Sequence, residues 1–183
     1  MSASPLCGPA REMTWWHHPG MTSLKAVRFR DRDMWVYDAS FSVLFAEVIR
    51  AVEDMPPAQR PAWWPDIVQG MRVDAVITDF ALDLDLGLGD TQREEFAQLI
   101  DDASSALLRR RTLTAEEAAE WKVLDDTSVI FRGTEPVDLA PAAAARAALT
   151  ALIRGTLPPA PPGTWWFYGP PNGRITIPMA SGG

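Results

Sequence analysis

One cysteine, two histidines and two lysines are all that the 183-residue chain offers of three side chains on which much protein chemistry depends. Cys7 has no second cysteine to bridge to, and a reactive thiolate needs a structured, electropositive setting that its Pro- and Gly-containing surroundings do not provide. His17 and His18 are adjacent in the same aperiodic stretch. An imidazole there has neither a hydrogen-bonded partner nor a third group to orient it, so neither catalysis nor metal binding is expected of the pair. The sequence holds no G-x-S-x-G, no P-loop, no G-x-G-x-x-G after a strand and no H-E-x-x-H. The commonest hydrolase, nucleotide, dinucleotide and zinc-protease signatures are therefore excluded, and the reading leans away from an enzyme.

Long apolar runs are missing too. None approaches the roughly 18–20 residues of a membrane-spanning helix. Residues 1–20 lack the basic start and apolar stretch of a secretory signal, and with the single cysteine this points to a cytoplasmic protein. Basic residues are few against 24 acidic ones, giving a net charge of −7. The one basic cluster, Arg109 to Arg111, follows an expected helix whose dipole it complements. Nucleic acid, which is held through its phosphates, is not the expected partner. The near-exclusive use of arginine over lysine, with abundant Ala and Pro, suits a GC-rich bacterial source.

What is present reads as an α+β protein. Residues 1–20 are expected to form a flexible extension, 21–179 a single globular domain and 180–183 a disordered tail. Leu24 to Arg30 and Met34 to Tyr37 alternate apolar with polar residues around a three-residue loop, Asp31 to Asp33, which predicts a hairpin. Phe41, Leu44, Phe45, Val48, Ile49 and Val52 fall on one helical face, with Asp38 or Ser40 as cap and Pro56-Pro57 as terminator. Residues 65–81 obey helical spacing, and an extended stretch follows. Two capping boxes, Thr91 with Glu94 and Thr114 with Glu117, start further helices. Thr127 to Arg132 reads as a strand, and a helix runs from Asp138 to Arg154 with Gly155 at its left-handed end. A second hairpin joins Thr164–Tyr168 to Arg174–Ile177 through Asn172-Gly173. The sum is an antiparallel sheet of about four to five strands, the two terminal hairpins plus the strand near 127–132, covered by four to five helices.

Two surpluses stand out. Asp74, Asp79, Asp83, Asp85 and Asp90 crowd into one segment. Their spacing departs from a calcium loop at the third acidic position, the glycine and the terminal glutamate, so no metal and no cofactor is expected. Six of the eight tryptophans form adjacent pairs, Trp15-Trp16, Trp63-Trp64 and Trp165-Trp166. Neighbours in a helix or strand cannot both face one core, so one of each pair is expected at a rim, pocket or interface. The candidate binding residues are therefore Trp63, Trp64, Asp79, Asp83, Asp85, Trp165 and Trp166. Two functions lead, with a structural or oligomeric accessory protein as a third reading. In the first the chain is a non-catalytic binding protein, such as a toxin-neutralising immunity protein or a regulatory subunit, whose acidity attracts a basic toxin or enzyme. In the second it is a small-molecule-binding protein or enzyme with a tryptophan-lined pocket and aspartates as acid or base. Homodimerisation is compatible with either.

Overall fold

A computed structural model describes residues 24–76, 81–84, 86–129, 136–168 and 175–178. The extension at 1–20, the tail at 180–183, Asp79, Asp85 and the Asn172-Gly173 turn lie outside the described residues. Strands β1 (Leu24–Phe29) and β2 (Arg32–Tyr37) form the first hairpin, in antiparallel register with Phe29 opposite Arg32. The loop is two residues, Arg30-Asp31, shorter than expected, because Arg32 and Asp33 belong to the ladder. Arg30 adopts φ 55°, the left-handed conformation that lets a two-residue turn follow the twist of its strands.

β2 passes without a loop into helix α1 (Asp38–Glu53), so Tyr37 rather than Asp38 or Ser40 occupies the cap position. Every side chain from Phe41 to Ala46 is buried, Ser42 included. The expected single apolar face is thus an underestimate. A helix apolar all round sits between layers, and α1 contacts the sheet on one side and helices α2 (Trp64–Val76) and α3 (Asp90–Arg110) on the other. Helix α5 (Ala140–Ile153) lies beside it, against both the sheet and α3. No described helix is long and apolar enough to cross a membrane.

The main sheet has five strands in the order β3-β1-β2-β8-β9, where β3 is Ala81–Asp83, β8 is Thr164–Tyr168 and β9 is Ile175–Pro178. The two terminal hairpins are neighbours, joined by β2 and β8. That joint is parallel, as is β1 with β3, so the sheet is mixed rather than antiparallel. Helical crossovers return the chain to the end of the sheet it left, which is the connection parallel strands require. The described part of the strand expected near 127–132, Thr127–Ser128, is not in this sheet. Thr127–Ser128 (β6) folds back on Lys122–Leu124 (β5) through Asp125, at φ 50°, and residues 130–132 lie outside the described set. A nearby partner strand closes a far shorter loop than the distant sheet would, at lower entropic cost.

Helix starts test the capping arguments. The cap of α3 is Gly89, two residues before the expected Thr91, and the Gln92 side chain accepts from the Gly89 N–H at 2.8 Å in place of a Thr91–Glu94 box, leaving Glu94 free for another task. Between a short strand β4 (Thr112–Leu113), which pairs with β7 (Val137–Asp138), and Trp121, helix α4 (Ala115–Ala119) carries the expected reciprocal box. Thr114 Oγ1 accepts from the Glu117 N–H at 3.1 Å, and Glu117 Oε2 accepts from the Thr114 N–H at 2.9 Å. The latter bond, with Arg110, holds the Glu117 carboxyl below its ordinary value of 4.5. Thr114→Ala should lower unfolding free energy by about 1 kcal/mol, read from the urea midpoint. Because the Glu117 pKa is depressed on folding, its contribution is present above the ordinary carboxylate range and lost as pH falls through the folded value. A Glu117→Ala deficit should therefore shrink in acid, whereas the Thr114→Ala deficit, which leaves the Thr114 N–H in place, should change little with pH.

Candidate functional site

Strand alternation sorts the sheet into two faces. Lys25, Val27 and Phe29 of β1 and Met34 and Val36 of β2 point toward α1 and α5 and are buried. The residues between them point the other way. Register places Trp35 and Tyr37 of β2 on the same face as Trp165 and Phe167 of β8, and Ile177 and Ile175 of β9 stand opposite the latter two. The rings interlock in two pairs: Trp35 and Trp165 have centroids 5.5 Å apart, and Tyr37 meets Phe167 edge-on at 4.7 Å.

This outer face is apolar, yet Trp35, Tyr37, Trp165, Ile175 and Ile177 are only half-buried. Among the described residues nothing accepts a hydrogen bond from the indole N–H of Trp35 or Trp165, whereas that of Trp166 reaches the Pro158 carbonyl at 2.8 Å and that of Trp63 reaches Glu95 at 2.5 Å. Partial desolvation also raises the Tyr37 phenol above its ordinary value, so it stays a neutral donor. At one end of the face Arg28 stands between Asp33 and Asp83, two carboxylates to one guanidinium, with Asp31 exposed in the adjacent turn.

The predicted site residues divide. Trp165 belongs to this face, and Asp83 to its acidic end. Trp166 points inward and packs on the core. Trp63 and Trp64 are both buried, 6% and 4% exposed, meeting each other and Phe96 behind α1. The rule that one neighbour must face outward fails for them because Trp63 precedes the helix and Trp64 opens it, so the two are not spaced by a helical turn. Trp63-Trp64 and Trp165 lie on opposite sides of the sheet and share no pocket. Asp79 and Asp85 lie outside the described residues, and no described group of three or more His, Cys, Asp or Glu is arranged to hold a metal ion. Sequence reasoning missed Trp35, Tyr37, Phe167, Ile175 and Ile177. The signal was the unbroken run Met34-Trp35-Val36-Tyr37, since a strand apolar on both faces is one covered on both faces. Comparison with protein-family models, with curated proteins and with solved structures gives no match.

Proposed function

We propose that the chain is a non-catalytic binding protein that receives a basic partner protein on the outer face of its sheet. The carrying observation is the Trp35–Trp165 and Tyr37–Phe167 cluster on the face opposite the helices, where Trp35, Tyr37 and Trp165 stay half-exposed around a buried Phe167 and two indole N–H groups have no acceptor among the described residues. Rigid aromatic surface with spare donors is what protein interfaces concentrate at their centres. The acidic end of the face and the net charge of −7 favour a partner with basic residues around an apolar patch. A toxin-neutralising immunity protein, or a regulatory subunit of a basic enzyme, in a bacterial cytoplasm is a role of this kind.

The test places a photo-crosslinking p-benzoylphenylalanine at Trp165 in the native host and identifies the product by mass spectrometry. The reading expects a different, basic protein. Once purified, that protein should bind the chain more weakly in high salt and about tenfold or more weakly to Trp165→Ala that keeps the wild-type thermal midpoint. Crosslinks confined to the chain itself, crosslinks joining two copies, or binding indifferent to both salt and Trp165→Ala would overturn it.

A further inference from the structure

Away from the outer face, the β1–β2 turn, the start of α3 and the end of α5 line an open, solvent-facing cavity of about 380 Å³. Phe29 and Ile153 give it an apolar lining, and three arginines, Arg30, Arg93 and Arg154, supply its cationic groups. Two of these are already compensated. Arg93 pairs with Asp90 and also donates to the Leu88 carbonyl at 2.6 Å. Arg154 grips Glu94 with two donors, Nε to Oε2 at 2.9 Å and Nη2 to Oε1 at 2.6 Å, and this bond keeps Glu94 ionised by depressing its pKa.

Arg30 differs. Its guanidinium carbon stands 5.1 Å from the Phe29 ring centroid, with Arg93 at 5.8 Å from the same ring. Among the described residues it makes no ion pair and no hydrogen bond. It also holds φ 55°, where glycine would be unstrained. The neighbouring Arg32 guanidinium donates to the Gly155 carbonyl at 2.7 Å, fastening the turn to the end of α5 and fixing the cavity's mouth. A chain of net charge −7 thus carries a pocket with three guanidiniums against two carboxylates.

We infer that this cavity binds a small organic monocarboxylate, its carboxylate on Arg30 and its apolar body against Phe29 and Ile153. One uncompensated planar fork matches one carboxylate in two parallel hydrogen bonds. A dianionic phosphate would exceed the single spare charge and meet Asp90 and Glu94. The volume lies within the range of small-molecule sites. This site is separate from the outer face, and either can fail without the other.

The experiment titrates benzoate and 3-phenylpropionate, with benzamide and phenyl phosphate as comparators, into the full chain by isothermal calorimetry and amide NMR. The carboxylates should bind at the cavity, at least tenfold more tightly than benzamide, and Arg30→Gln should weaken them by roughly tenfold or more. Arg30→Gly should lose binding equally while its thermal midpoint rises by about 2–4 °C, since glycine relieves the left-handed strain. Loss of binding in a variant that is more stable cannot come from unfolding. Absence of carboxylate binding, equal binding of benzamide, tighter binding of phenyl phosphate, or affinity unchanged in Arg30→Gln overturns the assignment.

Discussion

Phe96→Ala is expected to lower the free energy of unfolding by about 3–5 kcal/mol. Phe96 is 1% exposed and is where three helices meet, its ring centroid 6.4 Å from Phe45 on α1 and 6.0 Å from Trp63 at the head of α2. Truncation removes the ring's transfer energy and leaves a void whose cost depends on how far the walls collapse. Here they are tethered. Trp63 is held by its bond to Glu95, one residue before Phe96, and Phe45 is wedged against Phe41 at 4.1 Å. Little relaxation is available, so the effect should fall in the upper part of the range. Against a typical total of about 5–15 kcal/mol, that is a large fraction of the protein's stability. Urea unfolding followed by tryptophan fluorescence should show a lower midpoint at unchanged slope, with Phe96→Leu losing less. A loss below about 1 kcal/mol, the scale of an ordinary surface substitution, would mean that α3 does not close the core.

The helices that build this core were legible because helical periodicity and capping are local. Thr114 with Glu117, Gly155 at φ 69°, and the apolar spacing of α1 each need only a few neighbouring residues to be read. The sheet was legible as hairpins for the same reason, and it became illegible where pairing is remote. Nothing in Ala81–Asp83 announces that it runs parallel to β1, because its partner lies more than fifty residues earlier and is brought to it by the α1–α2 crossover. Thr127–Ser128, the described start of the stretch read as a strand over 127–132, has a nearer partner in Lys122–Leu124. The outer face was hidden by a choice of stripe. Met34 and Val36 satisfy the alternation, which diverts attention from the equally apolar Trp35 and Tyr37 between them. For the pocket, the Asp90–Arg93 pair is written in its i,i+3 spacing, but the Glu94–Arg154 pair spans 60 residues and the left-handed backbone of Arg30 has no spacing signal at all.

Lys25→Met is expected to destabilise the protein by about 1.5–3 kcal/mol near neutral pH, the worth of a hydrogen bond made by a charged donor in a buried setting. Lys25 is one of the two lysines in the chain and is 1% exposed on the inner face of β1. Its ammonium donates to the Asp74 carbonyl at 2.6 Å and lies 5.0 Å from the Phe41 ring centroid. Asp74 lies in the last turn of α2, where carbonyls have no helical N–H and a cation complements the dipole. Methionine nearly matches the shape of the stem, so the loss measures the ammonium rather than a cavity. The pH dependence separates this from a packing defect. Burial raises the Asp74 carboxyl above its ordinary 3.8, and Lys25 pulls it partly back. A carboxyl raised on folding costs nothing while it is protonated and becomes a penalty as pH climbs through its folded value. Without Lys25 that value rises further and the penalty above it grows, so the Lys25→Met deficit should be smallest near about pH 4 and largest above neutrality. A deficit flat across this range would mean that the ammonium acts only on the Asp74 carbonyl and not on its side chain.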